Sequence, residues 1–112
     1  MVADQIGSPT FTRDLATAIR DLVHSDARGI LHITNSGSCS WFEFAKEVLR
    51  KVGNKTTVIP ITTAEAHRLA KRPAYSVLSS SSLTVRGIAL RGWQEAVDAY
   101  LVELRQKRKM EW

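Results

Sequence analysis

Two places in this chain combine residue types suited to facing a bound ligand. The first is Lys71-Arg72-Pro73. A planar guanidinium meets two phosphate oxygens at once, and a neighbouring ammonium adds charge without that geometry. Arg72 precedes a proline, which disfavours the α region and sets residues 71–78 to run extended across the surface. The opposing reading gives Arg72 a carboxylate partner within the fold. The second place is Asp4-Gln5, just ahead of Gly7-Ser8-Pro9. In an open α/β sheet, ligands gather beyond the carboxyl ends of strands, so side chains at this corner can face a bound molecule. The alternative is that Asp4 and Gln5 only cap a turn.

The elements that must position these residues follow from local patterning. Gly7 tolerates positive φ and Pro9 forces Ser8 out of the α region, so an extended start at Val2 breaks there and a helix begins after Pro9. Thr10 and Thr12 are candidate N-caps, Asp14 complements the positive helix end, and Leu15, Ile19, Leu22 and Val23 share one face. Residues 29–35, GILHITN, alternate apolar and polar as a strand does. Ser40 followed by Glu43 is a capping box that opens a helix over 41–52, with Trp41, Phe44, Ala45, Val48, Leu49 and Val52 on its apolar face and Gly53 at its end.

Residues 56–61 form a β-branched run in which Pro60 argues for an edge. Thr62 with Glu65 makes a second capping box and predicts a short helix to about residue 70. A further short helix is expected over 83–88, closed by Gly87. The last long helix starts at Gly92-Trp93, with Trp93, Ala96, Val97, Tyr100, Leu101 and Leu104 at core spacing. The expected fold is therefore α/β, a two- or three-layer domain over 1–112 with a short, mostly parallel sheet of about three strands and three to four helices.

Composition narrows the function classes. The chain has 112 residues, 44% of them hydrophobic, enough for one modest core and too few for two domains. No apolar run approaches the roughly 18 to 20 residues needed to span a bilayer, and no basic-then-apolar signal segment follows Met1, so a cytoplasmic location is expected. Cys39 stands alone, and His24, His32 and His67 are too far apart to suggest a metal by spacing. Cys39 is expected to be structural, a small residue ahead of the cap at Ser40. The net charge of +5 raises nucleic-acid binding as a class. However, one basic cluster, Arg105, Lys107, Arg108 and Lys109, reads as the solvated end or tail of the last helix over 105–112, with Glu103 placed to pair with Lys107. No nucleic-acid motif accompanies this cluster or the other, Arg68, Lys71 and Arg72.

The blocks DQIGSPTFTRDLATAI, GILHITNSGSCSWFEFAKEVL, VIPITT, KRPAYSVL and GIALRGWQEAVDAYL occur here in order with short spacings. Together they resemble the carboxyl-terminal, substrate-binding part of the dTDP-4-dehydrorhamnose reductases, which belong to the extended short-chain dehydrogenase/reductases. The resemblance runs from Val2 to about Leu104. It implies the last step of dTDP-L-rhamnose synthesis, in which NADPH, or NADH, gives hydride to the C4 ketone of a dTDP-sugar. It also implies that Arg72 lies close to the nucleotide diphosphate, supported in descending order by Lys71, Gln5 and Asp4. Residues 79–82, four serines, depart from the family's more usual Asn and Lys, so any contact made by that lysine is lost.

The resemblance further implies that cofactor and catalysis belong to another half, making this a partial Rossmann-like fold. A dinucleotide site needs closely spaced glycines at a strand-to-helix turn, whereas the six here, at 7, 29, 37, 53, 87 and 92, are scattered. The superfamily's catalytic Tyr has a Lys four residues on, but Tyr75 is followed at that spacing by Ser79 and Tyr100 by Leu104. The expected partners are a dTDP-sugar, the missing half in cis or in trans, and a second copy covering an open sheet edge. No nucleic acid or membrane is expected. Some family members form Mg-linked dimers through glutamates, for which Glu95 and Glu103 are equally placed. A different class remains open, a regulatory or scaffold module like the β subunit of methionine adenosyltransferase, which resembles the same reductases.

Overall fold

A computed structural model describes residues 1–111, with side chains through residue 108. Its axis is the extended amino-terminal segment. On one side of it, β1 (Ile6–Gly7) pairs antiparallel with β2 (Cys39–Ser40), Ile6 opposite Ser40 and Gly7 opposite Cys39. On the other side, Ile6 N–H donates to Ala74 O and Ser76 N–H to Ile6 O, both at 2.8 Å. Nearer the start, Ala3 N–H donates to Ile61 O at 2.8 Å and Ile61 N–H to Met1 O at 2.9 Å.

The expected mostly parallel sheet of about three strands is thus corrected to one two-stranded antiparallel sheet. Among the described residues, parallel pairing survives only as isolated bridges: Val2 with Ile61, Ile6 with Tyr75 and Ser36 with Gly92. Proline explains the fragmentation on one side. Pro60 and Pro73 have no N–H to give a ladder, and each lies beside a place where pairing is confined to a single bridge.

Residues 29–35 are not a strand. Pairing begins only at Ser36, whose N–H donates to Arg91 O and whose carbonyl accepts from Trp93 N–H, both at 3.0 Å. A strand is a relation between two segments, and Ile30, 87% exposed, has no neighbour beside it.

Four helices complete the described residues: α1 (Thr12–Val23), α2 (Trp41–Lys51), α3 (Ser81–Thr84) and α4 (Trp93–Glu111). The N-cap of α1 is Phe11, and neither candidate threonine caps it. Instead Asn35, 24 residues downstream, accepts the Phe11 N–H on Oδ1 at 2.7 Å. The capping box of α2 forms as expected: Glu43 N–H donates to Ser40 Oγ at 3.0 Å, and Ser40 N–H to Glu43 Oε1 at 3.2 Å. Gly53, at φ 71°, follows its end.

The second box also forms, with Thr62 N–H donating to Glu65 Oε1 at 3.1 Å and Glu65 N–H to Thr62 Oγ1 at 3.2 Å. No helix grows from it, because His67 takes φ 49° and ends the turn. α3 begins two residues earlier than expected and closes sooner, Ile88 N–H reaching back to Leu83 O at 3.0 Å across Gly87. α4 runs on to Glu111, so Arg105, Lys107 and Arg108 lie on the helix end, the first of the two expected placements. The Lys109 side chain and Trp112 fall outside the described residues. Glu103 accepts from Arg13 of α1 at 2.8 Å, in place of the expected pairing with Lys107.

Cys39, Trp93 and Val97 form the buried core, with Phe44, Val48 and Leu101 packed against it. The burial of Trp93, 5% exposed, fits its position at the start of the α4 apolar stripe, whereas Tyr100 is 48% exposed. The apolar face of α1 is only partly used, with Ala18 buried and Ile19 and Val23 exposed. The radius of gyration is 16.5 Å and the shortest extent 21 Å, against about 13 Å for a compact domain near this length. The chain is a slab that leaves Ile19, Val23 and Ile30 exposed.

Candidate ligand-binding cleft

Where the amino-terminal segment passes between β2 and the 72–76 run, a cleft of about 260 Å³ opens. Gln5, Gly7, Ser40, Trp41, Arg72 and Ser76 are among its lining residues. The register of Ile6 places them: its backbone bonds to Ala74 and Ser76 carry Pro73 and Arg72 to the same mouth. Gly7 leaves room for the Ser76 side chain, since a Cβ there would stand 3.1 Å from Ser76 Oγ. Gln5 is buried, its Nε2 donating to Thr63 Oγ1 at 3.2 Å.

Of the four residues singled out from sequence, Gln5 and Arg72 meet at this cleft, while Asp4 and Lys71 do not line it. Asp4 turns to Thr63, accepting its N–H at 2.9 and 3.0 Å and its hydroxyl at 2.6 Å. Bonds from the Thr63 hydroxyl, and then from its amide, hold the Asp4 carboxyl below the usual range. Asp4 therefore caps the 63–67 turn, the alternative role that its sequence position allowed. Lys71 is exposed.

Trp41 was legible only as part of a helix face, yet it stands at the cleft, half exposed. Its position directly after an N-cap was the available signal: a first-turn side chain sits at the edge of whatever its helix packs on. Cys39 lines the same cleft while remaining 5% exposed. Burial, reinforced by the nearby Glu43 charge, pushes its thiol up to about 11. That fits the expected structural role and leaves it a poor nucleophile.

The family model for the RmlD substrate binding domain matches residues 1–106. The chain belongs to that family. Among its relatives, it is 48% identical over 103 residues to the spore coat polysaccharide biosynthesis protein SpsK of Bacillus subtilis, covering 92% of this chain and 36% of that protein. It is 41% identical over 100 residues to dTDP-4-dehydrorhamnose reductase of Mycolicibacterium smegmatis, with shares of 87% and 31%. A crystal structure of dTDP-4-dehydrorhamnose reductase from Bacillus anthracis in complex with NADP superposes with a TM-score of 0.88 at 41% identity, over 91% of this chain and 37% of that one. The resemblance carried by the five sequence blocks is thereby established, and this RmlD-family chain spans about a third of the length of the relatives it matches.

The residues of this chain do not form the glycine-rich turn or the Tyr-x-x-x-Lys pair of a nicotinamide reductase. The turn from β1 into α1 contains a single glycine, Gly7, and the glycines with positive φ, at 29, 37, 53 and 87, lie in separate loops. Tyr75 is 67% exposed, and the Tyr100 ring stands edge-on to Phe11 at 5.8 Å. Neither has a lysine one helical turn on. Among the described residues no group of three or more His, Cys, Asp or Glu is placed to hold a metal ion. Glu103 of the two candidate glutamates is engaged by Arg13. No described helix is long and apolar enough to cross a membrane.

Proposed function

We propose that residues 1–112 are a single substrate-binding domain of a dTDP-4-dehydrorhamnose reductase, holding the deoxythymidine diphosphate end of the 4-keto sugar nucleotide during its NADPH- or NADH-dependent reduction. The observation that carries this reading is the cleft shared by Gln5 and Arg72. Arg72 offers two N–H groups to phosphate oxygens, and Lys71, exposed nearby, adds long-range attraction. Gln5, fixed by Thr63, gives a polar wall that does not have to be ordered on binding. Asp4 acts indirectly, through the turn that holds Thr63.

Cofactor and catalytic residues, on this reading, belong to the part of the relatives that lies outside the matched third, which makes the described fold one lobe of a Rossmann-like reductase. That part, supplied in cis or in trans, would cover Ile19, Val23 and Ile30. A reduction drawing on the nicotinamide pool belongs in the cytoplasm. The chain by itself is expected to reduce nothing.

Isothermal calorimetry with dTDP tests the proposal. Binding is expected, and Arg72→Ala should abolish it. Absence of dTDP binding by the unaltered chain would favour a scaffold role, and equal, salt-sensitive binding of any polyphosphate would favour a nucleic-acid surface. NADPH oxidation by this chain alone with dTDP-4-dehydro-L-rhamnose would overturn the division of labour.

A further inference from the structure

A guanidinium accounts for the diphosphate of the ligand and leaves the rest of the cleft unexplained. The unexplained part is aromatic. Trp41 lines the cleft with 50% of its surface exposed, an amount of apolar ring that water covers poorly. It is also held rigidly. The Ser40–Glu43 capping box fixes the first turn of α2 on which it sits. Its ring stands perpendicular to Phe44 at 6.2 Å, and Phe44 leans on the buried Trp93 at 5.9 Å. A half-exposed indole, backed by Phe44 and lining the same cleft as the exposed Arg72, suits a ligand with both an anionic group and a flat π-face.

Resting on the function proposed above, we infer that Trp41 is the stacking platform for the thymine base of the nucleotide whose diphosphate Arg72 holds. Gln5 completes the recognition. One hydrogen of its Nε2 goes to Thr63 Oγ1, and its Oε1 has no partner among the described residues. What is left is an amide edge able to pair with the N–H and carbonyl of a pyrimidine ring. The aromatic train from Trp41 to Trp93 thus ties base recognition to the core, so the platform is ordered before the ligand arrives.

The test uses the full 112-residue chain, dTDP and calorimetry on Trp41→Ala, Trp41→Phe and Arg72→Ala. Trp41→Ala should weaken dTDP by about tenfold or more, whereas Trp41→Phe, which keeps a π-face, should stay within about threefold. The quenching of tryptophan fluorescence by dTDP should vanish in Trp41→Phe. Unchanged affinity in Trp41→Ala, or equal loss in Trp41→Phe, overturns the stacking role, and quenching that persists in Trp41→Phe does so too. If Arg72→Ala abolishes binding while Trp41→Ala does not, the functional reading stands and the stacking role alone falls. If the unaltered chain does not bind dTDP, both fall together.

Discussion

Arg91 grips Asp14 across 77 residues of sequence through two hydrogen bonds, Nε to Oδ2 at 2.9 Å and Nη2 to Oδ1 at 2.8 Å. Asn35, 1% exposed, completes the knot: its Nδ2 donates to Asp14 Oδ2 at 2.8 Å and to Arg91 O at 3.2 Å, while its Oδ1 accepts the Phe11 N–H just ahead of α1. Three segments with no shared strand are thereby locked. Asp14→Ala removes the acceptor and leaves polar groups on both partners short of a bond. It should cost about 2 kcal/mol in urea unfolding. A loss under about 0.5 kcal/mol would show that the knot contributes geometry only.

The same contact sets an acid limit. The Arg91 hydrogen bonds hold the Asp14 carboxyl below its usual range, with Asn35 adding to the effect against the cost of burial. A carboxyl whose folded pKa is lowered contributes stability that is fully present above its unfolded value, about 3.9. That contribution is lost as pH falls from there through the lowered folded value. Asp14→Asn should therefore flatten the stability profile below about pH 4 and leave its shape above about pH 5 unchanged. An identical acid limb in wild type and variant would contradict this.

Cys39 should be silent to thiol reagents. With its thiol pushed up to about 11 and its surface 5% exposed, little thiolate is available near neutrality. Ellman's reagent at pH 8 should react at the rate of unfolding in the native chain and immediately in denaturant. Fast stoichiometric reaction of the folded chain would mean that the cleft opens at Cys39.

Ser40→Ala removes the acceptor for Glu43 N–H at the start of α2. A loss of about 1 kcal/mol is expected, and because Trp41 follows directly, dTDP affinity should fall with it. Restored affinity and stability in Ser40→Asp would assign both effects to the cap.

The exposed apolar side chains make a prediction about association. Ile30 is 87% exposed, Val23 72% and Ile19 46%. We expect concentration-dependent self-association of the isolated chain by light scattering, reduced by Ile30→Lys with Val23→Glu. A monodisperse monomer across the micromolar range would argue against it.

How much of this was visible in the sequence depends on the reach of each signal. α2 was legible because its start and stop are local, a serine three residues from a glutamate and a glycine at its end. The Thr62 and Glu65 box was equally local and does form, but the positive φ of His67 stops growth, and no residue type announced that. Residues 29–35 have the alternation of a strand with no neighbour to pair with, so pattern and structure part company there. Arg72 and Gln5 were singled out by the family resemblance together with their chemistry, and both line the cleft, whereas the Asp14–Arg91 knot lay beyond any sequence window. Trp41 was hidden by its own periodicity, which marked it as one more member of an apolar face.

The 72–76 run is stapled to Ile6 on one side of the turn at 62–67, and Ile61 is stapled to residues 1–3 on the other. Between the 62–67 turn, whose Thr63 holds Asp4 and Gln5, and the downstream anchor, a change in chain length should leave the guanidinium unshifted, because its place is dictated by the anchor two residues away. Additions or deletions near Leu69, which is fully solvent-facing, should therefore be silent for nucleotide affinity. A single-residue deletion between Arg72 and Ala74 should not, because it would rotate the arginine to the opposite face. Evolution or an engineer can thus resize this rim while keeping the grip at its base.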